Sequence, residues 1–219
     1  MTQYPDRMTT IPRVRRRQLP VWVVAVIAIC CAVEVVILLT TLLGYTQARA
    51  IGFFIGGFWS QLLWSGGGLY VGQPVLMFLT YGLLHSGLMH LTMNMISLAV
   101  VGRELNRMIG SSRMAVIYIL SQIGAGLVFA LLEPETGPMV GASGAIFGLA
   151  GALVGYAAVS GYRRGREMGQ MWRSVLLLLV LNVALTFLMP EIAWQAHLGG
   201  AIVGLVAGVM LAMRVPQRR

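Results

Sequence analysis

Apolar runs of membrane length follow one another along the chain, separated by short clusters of charge. The first runs from Val21 to Gly44 and is broken only by Glu34. Residues 50–102 then hold no Asp, Glu, Lys or Arg. Further apolar segments cover Met114 to Leu132, Thr136 to Tyr162, Ser174 to Pro190 and Ile192 to Met213. A helix needs about 20 predominantly apolar residues to cross a bilayer, so each run predicts one span. The uncharged stretch is long enough for one span or two, and the arginines decide between them. Basic residues concentrate on the cytoplasmic side of membrane proteins. With Arg13, Arg15, Arg16 and Arg17 inside, helix one leaves Arg49 outside. Arg103, Arg107 and Arg113 belong inside again, so residues 50–102 cross an odd number of times, and their length allows one crossing. The surplus, roughly residues 50–84, lies in the interface or re-enters the membrane. Its Phe53, Phe54, Phe58, Trp59, Trp64 and Tyr70, with the Gly66-Gly67-Gly68 break, suit that position.

The remaining loops alternate in the same sense. Arg163, Arg164, Arg166 and Arg173 fall inside, as do Arg214, Arg218 and Arg219. Glu133, Glu135 and Glu191 fall outside. The pattern predicts an all-α polytopic membrane protein with six spans, both ends cytoplasmic, and a partly membrane-embedded first outer loop. Residues 1–20 form an Arg-rich cytoplasmic arm, 21–214 the six-helix domain and 215–219 a cytoplasmic tail. The basic start resembles a signal peptide, but the apolar run is too long for one and more spans follow, so it reads as a retained helix.

Composition excludes the other broad classes. The 219 residues are 58% hydrophobic and 11% charged, against about 25% charged in a soluble domain. The mean hydropathy is +0.79. A soluble globular domain, a disordered tail and a disulfide-rich module are all ruled out. The net charge of +9, carried by arginine without lysine, reads as a topology signal and a contact for anionic lipid rather than for nucleic acid. Cys30 and Cys31 are neighbours in one helix, point apart and say nothing about redox compartment.

Polar residues inside the bilayer are costly and are functional candidates by default. The topology puts His85, His90, Ser143 and His197 at one depth, the outer end of three helices. Ser143 in Gly141-Ala142-Ser143-Gly144 has two readings: a helix N-cap in a packed helix, or a nucleophile facing a cavity. A nucleophilic serine needs a base, usually histidine. His197 lies at matching depth, followed by the ridge Gly200, Gly204 and Gly208, while Gly144, Gly148, Gly151 and Gly155 thin the serine's helix. Small residues let helices approach closely, which would bring His197 within reach of Ser143. An acyl-transfer site also needs donors for the tetrahedral oxyanion. His90 and Asn94, four apart, share one face of their helix, and the Ser143 amide at a helix start is unpaired. His85, five before His90, lies about 140° round the helix and packs against the preceding loop.

With these residues in place the chain resembles the rhomboid intramembrane serine proteases. The matching elements are His85-x4-His90-x3-Asn94, Gly141-x-Ser143-Gly144 and Ala196-His197-x-Gly199-Gly200, in that order on the predicted helices. The resemblance implies a six-helix bundle and a Ser143–His197 dyad without a third acid or a cofactor. It implies an oxyanion site from His90, Asn94 and the Ser143 amide, with His85 as a structural histidine. Gly141, Phe147 and Gly200 support the site. The substrates implied are membrane proteins cut in or near a transmembrane segment. The compact six-span layout points to a prokaryotic cell membrane, and the topology puts the site on its outer side. The chain departs from the family pattern in three places. Leu76 and Met77 stand where Trp-Arg often anchors the first outer loop. Asn106 stands where a Glu often tethers that loop, with Glu104 two residues earlier. Phe147 stands where a Tyr is common; it can stack on His197 but cannot donate a hydrogen bond.

Rival readings remain at this level. Glu34, Asn182 and the histidines could line a transporter path, although the histidines cluster at one depth; Glu34 is expected to be neutral or paired within the bundle, and Asn182 to bond a neighbouring helix. Three histidines could hold a metal or haem, although the i,i+5 spacing of His85 and His90 suits shared ligation poorly. A catalytically inactive relative could bind transmembrane helices without cutting them.

Overall fold

The computed structural model describes residues 18–165, 169, 173 and 193–214. The predicted fifth span with Asn182, the terminal arm and tail beyond these limits, Arg166 and Glu191 lie outside the described residues. Among the described residues eight α-helices follow in order: α1 (Val21–Leu42), α2 (Ala48–Gly56), α3 (Ser60–Ser65), α4 (Gln73–Thr80), α5 (Leu88–Ile109), α6 (Ser111–Leu132), α7 (Ser143–Tyr162) and α8 (Trp194–Arg214). A 3-10 turn at Tyr81–Leu83 follows α4. Helices α1, α6, α7 and α8 are long and apolar enough to span a membrane. A fifth span results if α4 and its turn are joined to α5 across an 86° bend.

In the stretch expected to cross once, residues 50–102, α5 passes as a span only together with α4 and its turn, and the chain before it folds into the short helices α2 to α4. Side chains close the backbone of this loop. The buried Gln73 amide donates to the Phe54 carbonyl at 2.8 Å, and its Oε1 accepts the Leu69 N–H at 2.7 Å. Thr80 Oγ1 donates to the Gly56 carbonyl at 2.8 Å. Phe58 pairs with Met139 in a short antiparallel bridge that joins the loop to the segment entering α7. At the departures from the family pattern, Leu76 is exposed and Met77 is buried in an apolar cluster with Phe58, Tyr81 and Phe129. Glu104 pairs with Arg107 on its own helix, both exposed.

Two boundaries differ from those the sequence predicts. The span expected from Thr136 starts only at Ser143, because residues 133–142 form an irregular loop with positive φ at Gly137 and Gly141. His85 does not belong to the helix that carries His90. Gly87, at φ +145°, starts that helix at Leu88, so the helical-wheel angle between the two histidines does not apply.

At the centre, α7 packs along α8 with no side chain between the backbones. A Cβ placed on Gly200, Gly204 or Gly208 would overlap the carbonyl oxygen of Gly144, Gly148 or Ala152 respectively. Partner numbers rise together along the pair, so α7 and α8 run parallel and their starts lie at one end. The reciprocal face is the same: a Cβ on Gly155 would lie 2.6 Å from the Leu205 carbonyl oxygen. Close backbone approach through small residues is how membrane helices gain packing without a hydrophobic driving force. The contact also sets the spacing of the side chains just before it.

Candidate active site

Ser143 is the first residue of α7 and His197 lies in the first turn of α8. The glycine seam directly below brings them together: His197 Nε2 and Ser143 Oγ are 2.8 Å apart. Both side chains are half-buried. Phe147, one turn after Ser143, stacks on the His197 imidazole with ring centres 4.4 Å apart and planes at 21°.

His90 approaches from α5. Its ring lies against Gly141, where a Cβ would sit 2.8 Å from both Cε1 and Nε2 and 3.8 Å from Ser143 Oγ. Gly141 also has φ +119°, so a side chain there is excluded by both conformation and space. The other ring nitrogen of His90, Nδ1, accepts the Ser86 backbone N–H at 3.3 Å and lies 3.0 Å from Ser86 Oγ. A backbone amide can only donate, so Nδ1 carries no proton and Nε2 does. The Nε2–H therefore points to the side of the ring that faces the serine loop. Asn94 is 5% exposed, and its amide donates to the His90 carbonyl at 2.9 Å. That bond uses one of two amide hydrogens.

His85 is 1% exposed and stands edge-on to His90, with centres 5.1 Å apart. Both its ring nitrogens are without a hydrogen-bond partner among the described residues. It lies in the loop before α5 rather than on that helix. Tyr81 supports the serine loop from beneath. Its carbonyl accepts the Gly141 N–H at 2.9 Å and its hydroxyl donates to the Gln122 carbonyl at 2.7 Å. Beside His197, Gln195 donates to Glu133 Oε1 at 2.7 Å, which ties the start of α8 to the end of α6.

Sequence reasoning missed Ser86, Tyr81 and Gln195. It noted Glu34 and Arg49 separately but did not join them. Arg49 grips Glu34 through two nitrogens, at 2.7 and 3.0 Å, and donates to the His85 carbonyl at 2.6 Å. A signal for that pair was present, since Arg49 is the single arginine predicted outside and Glu34 the single acid inside a span. Intramembrane acids find partners or cavities.

The fold and site together define a polytopic helical membrane protein with a serine and a histidine hydrogen-bonded at the ends of two parallel helices. The chain belongs to the rhomboid family: the Rhomboid domain model matches residues 73–214, which carry every site residue named above except Glu34 and Arg49. It is 35% identical over 132 residues to RHOMBOID-like protein 5 of Arabidopsis thaliana, covering 60% of this chain and 42% of that one. It is 34% identical over 135 residues to the rhomboid protease GluP of Bacillus subtilis, covering 62% of this chain and 26% of that one. It is 33% identical over 137 residues to the putative rhomboid protease YdcA of Bacillus subtilis, covering 63% and 65% respectively. The chain thus spans less than two thirds of the length of these relatives.

Proposed function

We propose that the protein is an intramembrane serine endopeptidase that cuts membrane proteins in or near a transmembrane segment. The observation that carries this reading is the 2.8 Å contact between Ser143 Oγ and His197 Nε2. In the proposed reaction Ser143 Oγ attacks the scissile carbonyl while its proton passes to His197 Nε2. The oxyanion forms beside the His90 Nε2–H, the Asn94 amide and the Ser143 N–H at the unpaired start of α7. Collapse breaks the C–N bond, and His197 returns the proton to the leaving amine. Water, deprotonated by the same imidazole, then cleaves the acyl-enzyme. General-base catalysis of this kind contributes about 10²–10⁴-fold, and each oxyanion donor about 10²–10³-fold.

The six-span arrangement, the cytoplasmic ends and the outward-facing site belong to the same proposal, supported by the arginine distribution. So does the treatment of residues 21–214 as one catalytic unit. A site at the outer helix ends reaches water that the bilayer core lacks, and irregular backbone at that depth is tolerated around such a cavity. A fully hydrogen-bonded substrate helix hides its carbonyls, so segments with Gly, Pro or small residues near the outer boundary are the expected substrates. Helix formers placed around the cut site should slow cleavage, and equal rates would refute this preference.

The decisive experiment labels purified protein with a fluorophosphonate and locates the tag by mass spectrometry. A tag on Ser143 that disappears in His197→Ala supports an activated serine. A folded wild type that takes no tag supports a relative that binds transmembrane helices without cutting them.

A further inference from the structure

The Glu34–Arg49 pair lies outside the matched rhomboid segment, yet it ends on the peptide group that donates to His90. Arg49 Nη1 donates to the His85 carbonyl oxygen at 2.6 Å. The N–H of the same peptide, that of Ser86, donates to His90 Nδ1 at 3.3 Å. The His85–Ser86 peptide is thus held at its oxygen by a cation and at its nitrogen by an imidazole. Glu34 is 1% exposed and fixes the guanidinium through two contacts, 2.7 and 3.0 Å. A charged donor on the carbonyl polarises the peptide and strengthens its N–H as a donor, because hydrogen bonds in series reinforce one another. The positive φ of Gly87 turns the chain back so that Ser86 can reach the ring four residues on.

We propose that Arg49, held by Glu34, is a positioning residue that acts through the His85–Ser86 peptide to keep His90 in the Nε2–H form an oxyanion donor requires. In the opposite tautomer Nε2 would present a lone pair to the developing negative charge and repel it. The two imidazoles of the site therefore need opposite forms: His197 an open Nε2 to take a proton, His90 a protonated Nε2 to offer a bond. The proposal rests on the oxyanion role of His90 given above.

The test uses the full chain, labelled with ¹⁵N-histidine, in detergent. Three histidines give a spectrum that single-histidine variants assign. Wild type should show His90 Nδ1 as an unprotonated nitrogen and Nε2 as a protonated one. The double variant Glu34→Leu, Arg49→Leu removes both charges at once, since replacing a buried ion pair with apolar groups often preserves folding. It should shift both His90 signals towards tautomer averaging. It should also lower kcat on a transmembrane reporter by about ten- to a hundredfold with KM unchanged, because oxyanion contacts act only in the transition state. Arg49→Lys, which keeps one charged donor, should fall between the two and carries the test should the double variant not fold. An unchanged His90 tautomer in a folded variant overturns the proposal, as does a rate loss that merely tracks loss of folded protein. Failure of the underlying reading looks different: His90→Ala would then cleave at the wild-type rate.

Discussion

Gly200→Ala isolates the feature that sets the distance between serine and histidine. The added methyl would overlap the Gly144 carbonyl oxygen and lie 2.8 Å from its carbon and 3.4 Å from its Cα. Non-bonded carbons prefer about 3.5–4.0 Å, so α7 and α8 must part by about 1 Å. Ser143 is one residue before this contact on α7 and His197 three before it on α8, so the separation passes to the 2.8 Å hydrogen bond. A stretch to about 3.8 Å exceeds hydrogen-bond range, and a misplacement of this size costs about 10²-fold in rate. Stability should change far less. Overpacking costs about 1–3 kcal/mol, and alanine regains about 1 kcal/mol of helix propensity over glycine, leaving a net loss of at most about 2 kcal/mol. The assay is the rate of fluorophosphonate acylation at Ser143 beside a thermal unfolding curve. Gly67→Ala is the control, because its methyl would meet only Ser65 Oγ at 3.5 Å. Wild-type acylation in Gly200→Ala would refute the idea that this seam sets the pair's geometry.

Phe147→Ala should slow acylation severalfold by freeing the His197 ring, while Phe147→Tyr should retain the stack and the rate; comparison of the two variants checks the role of the ring. Gly141→Ala should abolish acylation, since its methyl meets the His90 ring 2.8 Å away at a backbone angle few side chains adopt; a folded, fully reactive variant would contradict the placement of His90. Gln195→Leu leaves Glu133 without a 2.7 Å donor and should destabilise the protein by about 1–2 kcal/mol. Thermal unfolding reads that change, and kcat should fall only a fewfold. Tyr81→Phe removes a buried 2.7 Å hydrogen bond to the Gln122 carbonyl. It should cost about 1–2 kcal/mol of stability with acylation retained, again measured by unfolding and labelling together.

What the sequence revealed, and what it hid, divides along a physical line. The apolar runs of α1, α6, α7 and α8 and the glycine seam are periodic or compositional, so Gly200, Gly204 and Gly208 could be read as a ridge before any partner was known. Ser143 and His197 followed because the seam needs two glycine-thinned helices and leaves polar residues at their ends. Loop geometry was not legible in the same way. The helical placement of His85 failed because a single glycine, Gly87, moved the helix start by three residues. The first outer loop is closed by Gln73 and Thr80 bonding to backbone carbonyls, and such bonds leave no spacing pattern. The Glu34–Arg49 pair was readable in principle from charge balance alone, but its end point on the His85 carbonyl depends on three-dimensional folding of α2 against α1.

The glycine seam also bears on how the protein meets bilayers of different thickness. Two parallel helices locked backbone to backbone tilt as one body when the hydrocarbon layer thins or thickens. Ser143 and His197 ride on that body, so their spacing survives a change of lipid. His90 rides on α5, joined to the short α4 across an 86° bend, and has no such lock to the pair. Lipid acyl length should therefore act on this protein through the stabilisation of charge rather than through the making of the nucleophile.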